Sequence, residues 1–249
     1  MLTSVRGLLA ATLIAGCGMA ATPAFADETD PPSDVTVTGN VALVSDYRFR
    51  GISLSGGDPA IQGAINVNHS SGLYAGVWGS SLEDSDVYGS LETDFYAGWT
   101  GEVSPGLTAD AGLTYYVYFN GTEGDANVFE PYVSLTKTLG PVSAKAGAAY
   151  AWKQDSLGGD DNLYLYTDWT LGVPNTPVSV AAHLGYTDGA LSPKVLTGAG
   201  PGGGWDYSLG ASYAVTKNLS ASVSYVGVDG TSVDSLSNDA VVASLKYAF

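Results

Sequence analysis

Two arginines stand two residues apart in the stretch Ser45-Asp46-Tyr47-Arg48-Phe49-Arg50-Gly51-Ile52-Ser53, and after the first two dozen residues they are the only arginines in the chain. In an extended segment side chains at i and i+2 share a face, so both guanidiniums project to one side. Each is a planar fork that can engage a carboxylate through two hydrogen bonds. The chemistry open to them is electrostatic, with acids as partners. A hydrolytic reading would need a nucleophile beside a base, and the chain has only two histidines, His69 and His183. A lone histidine is more often a structural hydrogen-bonder than a base, so no catalytic residues are assigned. His and Cys show no metal-ligand spacing, and no cofactor is implied. Acid pairs such as Glu83-Asp84 and Asp160-Asp161 could hold Ca²⁺ loosely or link through divalent ions to lipopolysaccharide phosphates; solvated loop acids are the plainer account.

The elements that must position these residues are strands. Residues 1–26 carry one cation, Arg6, an apolar run from Leu8 to Ile14, and Ala24-Phe25-Ala26, the layout of a signal peptide cleaved after Ala26. Ile14-Ala15-Gly16-Cys17 also resembles a lipobox, which would instead make Cys17 an acylated first residue. Cleavage after Ala26 leaves no cysteine, so stability must come from hydrogen bonding and packing. The formal net charge of −16 argues against a nucleic-acid partner. Charged residues are only 14% of the chain and glycine is abundant, yet no later segment is an apolar helix long enough for a bilayer. An exported, apolar, helix-poor chain fits the transmembrane β-barrel.

From Val35 onward the sequence falls into stretches of about ten residues with period-two hydrophobicity, separated by Gly, Asp, Asn, Ser and Pro. Twelve are expected: Val35–Val44, Ile61–Asn68, Leu73–Ser80, Leu91–Trp99, Leu107–Val117, Phe129–Thr136, Val142–Trp152, Leu163–Leu171, Val178–Tyr186, Trp205–Tyr213, Leu219–Gly227 and Val241–Phe249. Short connections, such as His69–Gly72 and Thr138–Pro141, alternate with long ones, such as Gln154–Asn162 and Thr187–Gly204. The long ones collect more than half of the acids. The fold class is therefore all-β: an antiparallel up-and-down transmembrane barrel over residues 35–249, preceded by a short tail, 27–34, with both termini on the periplasmic side. The competing architectures, a secreted β-sandwich or solenoid, have no reason to alternate loop lengths.

The strand phase then sorts the side chains. Extending the first strand to Arg50 puts Tyr47 and Phe49 on the lipid face, in an upper aromatic girdle with Phe119, Phe129, Tyr150, Trp152, Tyr186, Trp205, Tyr207 and Tyr225. Trp99, Trp169, Tyr213, Tyr247 and Phe249 form a lower girdle. Arg48 and Arg50 then face the lumen, where an arginine is tolerated; facing lipid at the midplane it would cost about 2–4 kcal/mol. The same count puts Asp46, Glu92, Asp94, Glu130, Lys153 and Asp206 in the upper lumen, and Asp110, Lys145, Asp168 and Lys246 lower. Glu130 lies roughly opposite the first strand and is the expected partner across the mouth, with Glu92 and Asp206 as nearer alternatives. Inward Tyr96, Tyr116, Tyr118, Tyr132, Tyr164 and Tyr166 read either as an aromatic lining for a ring-shaped solute or as amphipathic filling that hydrogen-bonds through its hydroxyls.

The motif SDYRFRGIS, followed by AIQGAINVNHSSGLYAGVWGSS and a terminal Tyr247-Ala248-Phe249, resembles the TorF-type porin family of Gram-negative bacteria across essentially the whole mature chain. The resemblance implies an outer-membrane barrel that passes small solutes, and it supplies no catalytic residues. Tyr247 and Phe249 also resemble the C-terminal signal read by the outer-membrane assembly machinery. Expected partners are outer-membrane lipid, lipopolysaccharide, that machinery and small hydrophilic solutes. Twelve strands lie between barrels whose interior is filled and barrels with a wide aqueous channel. A narrow, cation-favouring passive channel and a structural or adhesive barrel with a largely filled lumen both remain open. The topology is testable directly. Tags inserted after Gly158 and after Gly198 are expected to be reached by antibody on intact cells, and one after Asn175 is not; labelling at Asn175 would overturn the register.

Overall fold

The computed structural model describes residues 34–249 except Glu123. The expected signal peptide, and the tail as far as residue 33, lie outside the described residues. From Val35 the chain forms a closed barrel of twelve antiparallel strands in chain order. They are β1 (Val35–Val44), β4 (Ala60–His69), β5 (Leu73–Ser81), β6 (Leu91–Ser104), β7 (Leu107–Val117), β8 (Val128–Leu139), β9 (Val142–Ala151), β10 (Asn162–Gly172), β11 (Val178–Gly189), β12 (Gly204–Ala214), β13 (Leu219–Val228) and β14 (Ala240–Ala248). The two short strands between β1 and β4, β2 (Arg48–Phe49) and β3 (Ile52–Ser53), pair only with each other.

Alternation produces this arrangement because each strand has one apolar and one polar or small face, and closure leaves no unpaired edge. Outward side chains such as Val41, Leu43, Ile61, Ile65, Val133, Leu209 and Val241 are exposed on the outer surface. Apart from Tyr47, Phe49 and Tyr186, the two aromatic girdles are exposed there as well, with Trp152, Trp205 and Tyr225 toward the long loops and Trp169, Tyr213 and Tyr247 toward the short turns. The expected strands match the observed ones to within one to three residues, except in β6. That strand runs on to Ser104 through a register shift between Glu102 and Ser104, so the connection expected over Thr100–Gly106 narrows to Pro105-Gly106. An extra residue in one strand is what a β-bulge absorbs.

Inside, glycine and tyrosine form a system. Gly76 pairs directly across the sheet with Tyr96, Gly98 with Tyr74, Gly112 with Tyr132 and Gly147 with Tyr166. A Cβ at any of these glycines would overlap the facing ring, so each ring lies over its glycine against the wall. Ring packing on a bare backbone is one way a barrel fixes register and curvature. The hydroxyls find polar partners: Tyr96 with Asn66, Tyr74 with Tyr132, and Tyr74 with Asp110 at 2.6 Å. Tyr74 and Trp78 accordingly face inward as their phase requires, with Trp78 only 6% exposed.

The barrel closes through the chain end. β1 pairs with β14 only over Asn40–Val44, and beyond that Gly39 exchanges two backbone hydrogen bonds with Phe249, of 2.8 and 2.9 Å. The Phe249 ring lies across Gly39, where a Cβ would come within 2.7 Å of it. Each such bond contributes about 0.5–1.5 kcal/mol net. Deleting Phe249 should therefore reduce the yield of folded, heat-modifiable barrel, while Phe249→Ala, which keeps the backbone bonds, loses less. Normal yield from the deletion would leave Phe249 only an interfacial anchor.

Candidate functional site

The interior is built around a segment that the strand pattern did not anticipate. β1 stops at Val44, and Ser45–Pro59 turns into the barrel instead of continuing the strand. Asp46 organises the turn. One of its carboxylate oxygens accepts from Ser53 Oγ at 2.6 Å and Ser55 Oγ at 3.3 Å, and the other from Arg48 Nε at 2.6 Å. Leu54 N–H donates to the Tyr47 carbonyl and Tyr47 N–H to Ser55 Oγ, both at 2.8 Å. Residues 46–55 thus close into the hairpin β2–β3, whose tip is Arg50-Gly51, both at positive φ (49° and 82°). The left-handed region suits Gly51 and is uncommon for an arginine, so the contacts of the tip must hold Arg50 there.

Those contacts are interior ones. Tyr47, 3% exposed, packs with Val44, Ala60, Ala64 and Trp78, its ring centroid 5.4 Å from that of Trp78. Phe49 meets Tyr116 edge-on at 5.8 Å. The expected place of Tyr47 and Phe49 in the lipid-facing girdle is therefore wrong: once Asp46 captures two serines the chain reverses, and apolar inner surface is nearer than lipid. Loops hold the segment from outside, through Ser53 N–H to the Leu236 carbonyl at 2.7 Å and Glu83 N–H to the Leu54 carbonyl at 2.9 Å.

Arg48 and Arg50 do face the interior, as expected, but they do different things. Arg48 stays local, with Asp46 at one end and, through Nη1, the carbonyls of Asn238 at 2.6 Å and Gly51 at 3.1 Å at the other. Arg50 crosses the bore. Its Nη2 reaches both oxygens of Glu130 on β8, at 2.9 and 2.7 Å, and its guanidinium lies over Phe49 at 4.6 Å and Tyr164 at 4.1 Å. Tyr116 also donates to Glu130, at 3.1 Å. The pairing uses one nitrogen rather than the whole fork, leaving Nη1 buried without a hydrogen-bond partner among the described residues. Burial lowers the Arg50 pKa, but the adjacent Glu130 carboxylate outweighs it and the net shift is upward, so the cation is held in place.

A second polar row follows one wall. Lys145, Asp168 and His183 are direct cross-strand neighbours on β9, β10 and β11. His183 Nδ1 lies 2.6 Å from Asp168, and Nε2 lies 2.8 Å from both Asp206 and the Tyr164 hydroxyl. With a carboxylate at each ring nitrogen, the arrangement is satisfied when both nitrogens donate. Lys145 rests over the Tyr166 ring at 5.6 Å. Asp110, 3% exposed, is held by Tyr74, and Lys246 has the inward phase of β14, opposite Ala42. Lys153 does not belong to the lumen: β9 ends at Ala151, and Lys153 is exposed in the loop before a 3-10 turn, Asp155–Leu157. That loop and the next bring Leu157 and Leu191 against Val128 and Ala151 at the mouth.

Glu92 and Asp94 on β6 are each 1% exposed. Tyr118 donates to Glu92 Oε1 at 3.2 Å and Tyr47 also bonds this carboxylate, while Glu92 Oε2 and Asp94 Oδ1 have no hydrogen-bond partner among the described residues. Burial, followed by the Glu92 and Asp94 carboxylates, pushes the Tyr47 and Tyr118 hydroxyls well above their ordinary range, which keeps both phenols as donors.

A family model described as "Bacterial protein of unknown function (Gcw_chp)" matches residues 28–249. No curated protein matches the chain. Among solved structures, the NanC porin superposes with a TM-score of 0.58 at 12% identity, over 86% of this chain and 99% of that one. The KdgM porin, solved in complex with disordered oligogalacturonate, gives 0.57 at 10% identity, over 86% and 98%. At such identities the likeness is one of fold: both are similar closed barrels.

The Arg50–Glu130 pair sets a stability test. Removing one member of a buried pair leaves the other charge stranded, at a cost of about 3–5 kcal/mol. R50A and E130A should each lower the unfolding free energy of the folded barrel by that order, and R50A/E130A by clearly less than their sum. Additive losses, read from denaturant unfolding in lipid, would mean the two side chains do not depend on each other.

Proposed function

The chain belongs to the Gcw_chp family, bacterial proteins of unknown function, and from that premise we propose that it is a porin-like channel in the outer membrane of a Gram-negative bacterium, passing small hydrophilic solutes by passive diffusion. One observation carries the reading. The barrel has an apolar, aromatic-banded exterior suited to lipid, and an interior bridged at one level by an ion pair, Arg50–Glu130. A wall that places charges inside and apolar groups outside is the arrangement of a barrel that carries polar solutes. The likeness of fold to two porins and the resemblance of the SDYRFRGIS motif to the TorF-type family point the same way.

In this reading the in-turned hairpin is the constriction, with Arg48 and Arg50 narrowing the bore and Asp46 holding them. Phe249 and Tyr247 serve recognition by the assembly machinery, and residues 1–26 direct export. Lipopolysaccharide would border the long loops, whose acids, with the net charge of the chain, favour cations at the mouth. The chemistry is binding and passage, without catalysis. A second reading, a structural barrel with a closed lumen, is favoured by the buried tyrosines and by Leu157 and Leu191 at the mouth.

Single-channel recording of the purified protein in a planar bilayer separates the two. A channel gives discrete conductance steps, and R48A/R50A raises them and strengthens cation preference, provided the variant still folds. Arg-to-Lys replacement at both positions should restore the original steps only in part, since an ammonium lacks the planar guanidinium that lies over Phe49 and Tyr164. A silent bilayer from folded protein supports the closed barrel instead.

A further inference from the structure

Pairing the interior charges one by one leaves a remainder. Asp46 is matched by Arg48, Glu130 by Arg50, and Asp168 and Asp206 by His183, while Asp110, held by Tyr74, has Lys145 as the cation acting on it. Among the described residues, no cationic side chain lies against Glu92 or Asp94. The charges that act on Asp94 are Glu92 and Glu130, both acids, and the side chains that bond Glu92 are phenols. Two residues apart on β6, they project from one face of the strand, on the order of 7 Å apart along the chain, with Ser80 and Trp78 as their cross-strand neighbours on β5. Two carboxylates this deeply buried, each with an oxygen that no group among the described residues satisfies, are costly while both are charged, and a cation between them or a shared proton relieves that cost.

We infer that Glu92 and Asp94 bind a cation between them, and that it is this site, more than the loop acids, that makes the interior cation-selective. The selectivity half rests on the channel reading; the binding half does not. The ligand set defines the class of ion. Hard carboxylate oxygens, with the Tyr47 and Tyr118 hydroxyls beside Glu92, suit Ca²⁺ or an alkali cation rather than a soft metal. Among the described residues no three His, Cys, Asp or Glu side chains converge as a metal cage, so the ion must keep water in its remaining positions. Two charged ligands and retained water make a weak, exchangeable site. Conduction needs that property, since an ion must enter and also leave.

The pair also separates from the loops by its response to salt. The field of exposed loop acids is screened within about 3 Å at 1 M ionic strength, whereas a buried pair is screened much less. Cation preference that survives in molar KCl therefore marks the interior site.

Terbium(III) tests the binding without reference to transport. It occupies hard-oxygen sites, and Trp78, across the sheet from Asp94, can sensitise its emission when excited at the red edge, where tryptophan absorbs and the neighbouring tyrosines do not. Folded barrel titrated with Tb³⁺ should show sensitised luminescence that Ca²⁺ competes away. E92Q/D94N should lose that component, and so should W78F, which removes the donor but keeps both acids; emission from the loop acids near Trp152 remains in all three. Should E92Q/D94N not yield heat-modifiable barrel, E92Q and D94N alone should each weaken the signal. Emission unchanged in the folded carboxamide variants would overturn the site and leave the two acids sharing a proton instead. In a bilayer, reversal potentials in molar KCl gradients should shift toward zero in E92Q/D94N and stay put when Glu83, Asp84, Asp160 and Asp161 are neutralised; the opposite pattern overturns the selectivity assignment. A barrel that is silent in the bilayer yet loses terbium emission in E92Q/D94N keeps the site and refutes the channel.

Discussion

The interior depends on one ion pair held across the bore. Arg50 sits at the tip of a hairpin that begins at the end of β1, and Glu130 sits on β8, 80 residues later in the chain. To make that contact the backbone adopts a left-handed turn at a non-glycine residue, and two aromatic rings flank the guanidinium. A buried charge is tolerable only if paired, so Arg50 cannot withdraw without stranding Glu130, and Glu130 cannot relax without stranding Arg50. That mutual requirement fixes the tip of the hairpin against the opposite wall. Asp46 supplies the other half of the constraint, because its bonds to Ser53, Ser55 and Arg48 give the segment an internal frame before it reaches the opposite wall.

The wall and its contents obey separate physical rules. Outside, period-two alternation and closure decide nearly everything, and the glycines that face tyrosines on neighbouring strands let large rings lie flat instead of standing into the bore. Inside, charge accounting decides. Most interior acids are matched to a base, whereas Glu92, bonded only by phenols, and Asp94, acted on only by acids, are not, and it is there that a cation is proposed. Tyrosine serves both rules, with its ring in the wall and its hydroxyl in the network.

Much of this was legible in the sequence. Barrel class, strand count and phase came from alternation that survives at every strand, because a one-residue slip would exchange the lipid and lumen faces. The inward direction of the two arginines came from the same count, and so did Glu130 as an acid across the mouth, since strands halfway round a closed ring face each other; which arginine reaches it did not, and Arg48 pairs with Asp46 beside it instead. The in-turned hairpin did not. Tyr47 and Phe49 keep perfect alternation with β1, and only Ser53 and Ser55, spaced to meet one Asp46 carboxylate, hinted that the strand breaks. Lys153 was misplaced for a related reason: phase carries no information once the chain leaves the sheet. The bracket of His183 by Asp168 and Asp206 joins three strands, and its register cannot be read from any one of them.

Everything inside the barrel turns on how the segment from Asp46 to Asp58 lies across the bore. Replacing residues 47–57 by a short Gly-Ser connection, with E130Q to avoid a stranded charge, and recording single channels tests it most directly. If the segment is the constriction, the folded variant conducts in markedly larger steps than the parent; steps of the parent's size from a folded variant would contradict it.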